Sequence, residues 1–268
     1  LETFQLNKAP GIDGIPIEFY KNGRSLLSEP FIRCANKCFE KGELSSSQKQ
    51  AVITLIEKKG KDRSFIENWR PISLVNVDAK IMSKLLATRI KNVLPDIIHH
   101  NQSGFVKERY IGETVRSIFD LIDFTPRENI PLLMILIGCH KAFDSVEWNY
   151  LVTCLEAFRF GPDFIRWVKT LYKNIQSCFI NNGLTTGYFP LERGVRQGDR
   201  LSPYLFVCVV QTLAITIRQN TAIKGILIGK EETKLLQYAD DTTAVLSNRD
   251  SAHALFNPLG CFQETVRS

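Results

Sequence analysis

Near the C-terminal end of the 268-residue chain, two short runs of β-forming residues, Leu235 to Tyr238 and Thr242 to Leu246, close on the tripeptide Ala239-Asp240-Asp241. Strand-like runs separated by so few residues predict a tight hairpin. Its tip carries two adjacent carboxylates, which repel each other and are tolerated only where they face water or a cation neutralises them. An Asp-Asp turn is ordinarily a solvated turn. Here the apolar flanks place the pair at the rim of a core, which favours a held metal ion.

Other elements are legible from pattern. The glycines and prolines of Asn7 to Pro16 predict a loop. A helix follows over Ile17 to Lys41, with Pro30 the expected break. Ala51 to Glu57 reads as a strand, and Lys58 to Arg63 as a basic turn. A helix over Val77 to Leu94 puts Ile81, Leu85 and Ile90 on or near one face, with Pro95 its end. Leu132 to Ile137 is a continuous apolar run between Pro131 and Gly138, expected to be a strand buried on both faces. Asp144, with Glu147 three residues on, resembles a capping box that starts the next helix. Gly161-Pro162 ends that helix and opens another, whose Phe164, Val168 and Leu171 face one way. Its Arg166, Lys169 and Lys173 face the other way, as a solvated side. Asn182-Gly183 predicts a type I′ hairpin. A loop from Gly187 to Leu201 leads to a helix beginning at Ser202-Pro203, apolar nearly all round except for Gln211 and hence buried.

A hydrophobic content of 44% suffices for a sizeable core. The net charge of +6 fits a polyanionic partner, though it also fits many ordinary enzymes. Seven scattered cysteines without a CxxC pair indicate neither a disulfide framework nor a zinc site, and suggest an intracellular, reducing setting, nuclear or cytoplasmic. No apolar run reaches the roughly 18 residues of a membrane span, so no membrane partner is expected. The chain starts with Leu1 and stops inside a helical pattern near Cys261 to Val266, and reads as a piece of a longer protein.

Four motifs occur in order: Asn68-Trp69-Arg70-Pro71-Ile72-Ser73-Leu74, Lys141-Ala142-Phe143-Asp144-Ser145, Arg193-Gly194-Val195-Arg196-Gln197-Gly198-Asp199 and Tyr238-Ala239-Asp240-Asp241. Together they resemble the reverse transcriptases of LINE-type, non-LTR retrotransposons, from about Asn7 to Leu246. The resemblance implies an α+β right-hand polymerase fold. Fingers would occupy residues 1–131 and a palm 132–268, the palm a small antiparallel sheet backed by helices; the thumb would follow Ser268. It implies an RNA-directed DNA polymerase that takes an RNA template, a DNA primer and deoxynucleoside triphosphates. Two Mg²⁺ ions, replaceable by Mn²⁺, sit between three aspartates in that family. Asp240 matches the aspartate that bridges the metals, and Asp241 its neighbour. Arg70 matches an arginine that clamps the triphosphate, and Gln197 and Gly198 a loop that packs on nucleotide and template. Phe143 matches the aromatic that excludes a ribose 2′-hydroxyl. Without the resemblance, Arg70 reads equally as a surface cation and Phe143 as a core aromatic.

The match fails at one expected ligand. The family's first metal-binding aspartate stands five residues before the sugar-gate aromatic, and here that position is Gly138. Asp144 falls past the strand end and does not replace it. Cys139 and His140 are donors better suited to zinc than to Mg²⁺. Further departures are Arg200 at a usual proline, Gln211 where glutamate is common, and Glu108 where glycine is common. The expectation is a polymerase domain impaired in this copy; the alternative is a catalytically inactive nucleic-acid-binding module derived from one.

Overall fold

In a computed structural model of the chain, residues 1–139 and 141–267 are described, the side chains of 265–267 excepted. The helices are α1 (Ile17–Asn22), α2 (Arg24–Lys41), α3 (Ser46–Lys49), α4 (Val77–Ile97), α5 (Ile111–Arg127), α6 (Trp148–Ala157), α7 (Pro162–Tyr172), α8 (Ser202–Gln219) and α9 (Arg249–Arg267). The strands are β1 (Gln50–Glu57), β2 (Trp69–Val75), β3 (Leu133–Gly138), β4 (Gln176–Asn181), β5 (Leu184–Thr185), β6 (Phe189–Pro190), β7 (Ile226–Ile228), β8 (Glu231–Thr233), β9 (Leu235–Tyr238) and β10 (Asp241–Leu246). The mixture is α+β, and no described helix is long and apolar enough to cross a membrane. Two compact units divide the chain, Leu1–Thr88 with Leu155–Ser202, and Arg89–Cys154 with Pro203–Ser268.

The first unit is built on a sheet of order β2-β1-β4-β5, with β6 also paired to β4. β1 runs antiparallel to β2 and parallel to β4. Between β4 and β5, Asn182 and Gly183 have φ of 49° and 79°, the two positive values that a type I′ turn requires. Ile17, Val77 and Ile81 are buried together and packed against Phe4, Tyr20 and Phe31. On α7 the buried side is Ile165, Val168 and Leu171, while Arg166, Lys169 and Lys173 are exposed. The helical stretch after the N-terminal loop is interrupted at Gly23 and passes through Pro30. Because α2 is largely exposed, water can satisfy the carbonyl that the ring nitrogen of Pro30 leaves without a donor.

The second unit is organised by a sheet of order β3-β10-β9, in which β10 is antiparallel to both neighbours. One face places Ile135, Ile137, Ala244 and Leu235 against Leu213 and Ile217 of α8 and Leu255 of α9. The other face packs Leu236 and Val245 against Leu121 of α5. As expected, α8 is buried nearly all round, and Gln211 is only 4% exposed.

Several expectations fail for physical reasons. β3 is an edge strand with one face against the core, so Leu136 is 81% exposed rather than buried. α6 starts at Trp148; Asp144 lies instead in a short 3-10 turn, Ala142–Ser145, and Glu147 offers its carbonyl to Leu151 N at 2.9 Å. α6 ends at Ala157 because Arg159 adopts φ 59°, the left-handed conformation that terminates helices, before Gly161 is reached. α4 passes through Pro95 to Ile97. Arg109 caps that end, donating from Nη2 to Pro95 O (3.0 Å) and Ile98 O (2.9 Å). The buried stripe of α4 runs through Met82, Leu86, Ile90 and Leu94, leaving Leu85 exposed.

After α4, His99 is held far from its ordinary protonation range. Burial, and next the cation of Arg218, lower its pKa from 6.5 to about 4. Between those values the unfolded chain binds the proton and the folded chain does not, so stability falls as pH drops from about 6.5 to about 4. With its amide oxygen turned toward them, Gln211 accepts from Arg218 Nη2 (3.1 Å) and His99 N (3.2 Å). A glutamate would balance the Arg218 charge. In Gln211→Glu, NMR titration of His99 is therefore expected at a higher pH, with less loss of urea stability across this window.

Candidate active site

The strand register builds the site. Asp241 is the first residue of β10 and stands opposite Tyr238 on β9 and Gly138 on β3. Residues directly opposed in an antiparallel pair project to the same face, with Cβ atoms about 4.5–5.5 Å apart. Position 138 therefore adjoins Asp241 across the strands. A Cβ on Gly138 would meet no atom within 4 Å. Between Tyr238 and Asp241 lies a two-residue turn, Ala239-Asp240, in which Ala239 has φ 55° and is buried. Asp240 is half-buried and Asp241 exposed. Desolvation, then repulsion from Asp241, raises the Asp240 carboxyl above its ordinary range.

Phe143 lies in the 3-10 turn after β3 and stacks on Phe206 of α8, with ring centroids 4.8 Å apart and planes 17° apart. One face of its ring is thus supported by the core. Asp240, Asp241, Gly138 and Phe143 all belong to the second unit. Arg70, Gln197 and Gly198 belong to the first. Arg70 is exposed on β2, opposite Ile56. Gln197 O accepts from Ser73 N (2.9 Å), which docks its loop on the strand that carries Arg70. Gly198 has φ 99°, and an added Cβ would come within 3.2 Å of Ile72 Cγ2, so glycine suits both the conformation and the space.

Asp240 and Asp241 are present, but among the described residues no group of three His, Cys, Asp or Glu is placed to hold a metal ion. Burial, then the charges of Asp240 and Asp241, raise the Cys139 thiol above its ordinary range. His140 lies outside the described residues.

Comparison with known proteins agrees with this architecture. Residues 56–266 match the family described as reverse transcriptase (RNA-dependent DNA polymerase). The chain belongs to the reverse transcriptase family. Its relatives are proteins of non-LTR retrotransposons. It is 36% identical over 241 residues to a 149 kDa protein of transposon TX1 from Xenopus laevis, covering 89% of this chain and 18% of that protein. It is 27% identical to the Pol polyprotein of retrotransposable element R2 from Popillia japonica (90% of this chain, 33% of that one). It is 23% identical to the RNA-directed DNA polymerase from mobile element jockey of Drosophila melanogaster (91% and 26%). The chain thus spans between about a fifth and a third of these relatives. Telomerase from Candida tropicalis shares the fold, with a TM-score of 0.57 at 14% identity over 90% of this chain and 43% of that one. Telomerase from Candida albicans gives 0.56 at 12% identity (91% and 44%). This is the right-hand polymerase fold.

Sequence reasoning missed the residues that hold the reverse transcriptase loops in place. Arg196, buried beside Gln197, donates to Lys49 O (2.8 Å). Asp199 accepts from Ser83 Oγ at 2.6 Å and from Leu201 N at 3.3 Å. Burial raises the Asp199 carboxyl, against the lowering effect of Ser83 and Arg196. Charged residues in a loop gave no sign that their partners were internal. Glu108, one of the departures seen in the sequence, has φ 65°. A left-handed non-glycine residue costs about 1–2 kcal/mol, partly offset by the entropy glycine loses on folding. Glu108→Gly is therefore expected to stabilise the protein by about 1 kcal/mol, measured by urea unfolding.

Proposed function

We propose that this domain descends from a polymerase extending a DNA primer on an RNA template, and that Gly138 has left this copy without effective nucleotidyl transfer. The observation that carries the reading is the in-register pairing of Asp241 with a glycine whose Cβ direction is open. The family depends on divalent metal ions. Two carboxylates at the tip, without the third that the family carries at position 138, are too few to hold a pair of such ions. The chain's own residues retain the remaining roles. Arg70 offers a planar guanidinium suited to a triphosphate. Phe143, supported by Phe206, offers a flat surface to a sugar. Gly198, whose missing Cβ makes room for Ile72, lets the loop of Gln197 lie close on β2.

The Candida tropicalis telomerase with the same fold was solved with the TWJ fragment of telomeric RNA, which supports RNA as one partner. A second reading is favoured by the same glycine: a binding module that retains phosphate contacts and has given up chemistry. Contacts to phosphates do not need the lost carboxylate and weaken steeply with salt as counterions are released.

Primer extension on an RNA template in Mg²⁺ separates the two. Loss of one carboxylate ligand is worth roughly 4 kcal/mol, so Gly138→Asp is expected to extend primers on the order of a thousandfold faster than the chain as it stands. Equal rates with readily detected extension in both would sink the impairment. Failure to retain an RNA/DNA hybrid at low salt would count against both readings.

A further inference from the structure

Ala239 is a buried, non-glycine residue in a left-handed conformation immediately before the acidic pair. L-residues avoid this region because Cβ crowds the following carbonyl. A two-residue turn with positive φ at its first central position ordinarily takes glycine there. Something other than intrinsic preference therefore holds Ala239.

The neighbouring loop supplies it. Gln102 is 1% exposed, and its side-chain amide spans the Ala239 peptide groups. Ala239 N donates to Gln102 Oε1 (2.8 Å), and Gln102 Nε2 donates to Ala239 O (3.1 Å). The same Oε1 accepts from Gly104 N (2.8 Å), which fixes the amide's orientation. Residues 101–103 lie along the β9 edge as a short parallel addition, with Gln237 N donating to Asn101 O (2.7 Å) and Ser103 N to Gln237 O (3.0 Å). Gly104 completes the fit: a Cβ there would stand 2.2 Å from Ala239 N. Arg109 secures the loop, donating from Nη1 to His99 O (2.7 Å) and Gln102 O (3.0 Å).

We infer that Gln102 is a positioning residue, which holds Ala239 in its left-handed conformation and thereby aims Asp240 and Asp241. Only the consequence for metal binding rests on the function proposed above. The clamp itself stands on the hydrogen bonds and the close approach of Gly104. Every group involved lies in the second unit. No covalent step is involved, and Gln102 touches neither substrate nor metal in this role.

The test replaces Gln102 with methionine, which keeps length and apolar volume but cannot pair with the Ala239 peptide groups. Amide hydrogen exchange at residues 239–241 is expected to quicken at least tenfold, while amides of 243–246 on β10 keep their rates. Unchanged exchange at the turn, or equal acceleration in both segments, overturns the clamp. If Gln102→Met does not fold, Gln102→Asn serves. Its amide is one methylene shorter and cannot reach both Ala239 peptide groups, so an acceleration confined to the turn is expected; none overturns the clamp.

A second arm measures Mn²⁺ affinity by electron paramagnetic resonance in Gly138→Asp and in Gly138→Asp with Gln102→Met. About tenfold weaker binding in the double variant is expected, and equal affinity overturns the claim that the clamp aims the carboxylates. If Gly138→Asp binds no Mn²⁺, the reading of Gly138 as a lost ligand fails, and the exchange result alone decides the clamp.

Discussion

The pairing of β10 with β3, from Asp241 opposite Gly138 to Leu246 opposite Leu133, is the constraint on which the second unit depends. Side chains alternate between faces along a strand, so one register decides both what is buried and what is presented. Thr242 and Ala244 lie on the face that meets α8 and α9, whereas Asp241 and Thr243 lie on the other. Sliding β10 by one residue would turn Asp241 toward the face that packs on α8 and move Ala244 and Leu246 off it. Burying an unpaired carboxylate is costly, and so is withdrawing apolar side chains from that core. The apolar packing and the position of the acidic pair are thus one decision, and the two-residue turn at Ala239-Asp240 is its end point.

Register places the strands but does not shape the loops around them. In each unit, separately, buried polar side chains that reach backbone atoms or one another do that work. Arg196 and the Asp199–Ser83 bond fix the loop that carries Gln197 and Gly198. Gln102 and Arg109 fix the segment beside the acidic turn. Such bonds contribute about 1 kcal/mol net, yet leaving one partner buried and unmatched costs about 1–3 kcal/mol. The asymmetry makes them better at excluding alternative loop conformations than at adding stability. Asn182-Gly183 shows the opposite case, a turn whose own residues prefer the observed angles and need no clamp.

That contrast explains what can be read from sequence. The acidic hairpin, the Asn182-Gly183 turn, the buried α8 and the two faces of α7 are legible because their causes lie within a few residues. Leu132 to Ile137 misleads because an apolar run does not reveal that its strand lies at a sheet edge, where Leu136 faces outward. Pro95 has the look of a helix stop because Arg109, the residue that satisfies the carbonyls there, is 14 positions away. Asp144 and Glu147 have the spacing of a capping box, but Asp144 lies in the 3-10 turn that carries Phe143 toward Phe206, and α6 starts only after Glu147. The site residues are reachable through their ordered motifs. Gln102 is not, since nothing local distinguishes a glutamine that pairs with a peptide 137 residues later.

The departures from the family pattern differ in what they do to the fold. Glu108 adopts a conformation that glycine tolerates better, so it carries a direct energetic penalty. Gln211 keeps the shape of a glutamate and its contacts to Arg218 and His99 but removes a charge, which shifts the protonation of His99 rather than the packing. Arg200 forfeits the rigidity of a proline and gains a guanidinium set 4.9 Å from the centre of the Phe4 ring. Gly138 differs from all three. It stands at a strand end where an added Cβ would meet no atom within 4 Å, so a glycine there strains no angle and leaves the core packing as it is. Folding therefore exerts little pressure on that position. A carboxylate there would answer only to chemistry, since every other contact of the sheet is in place with glycine.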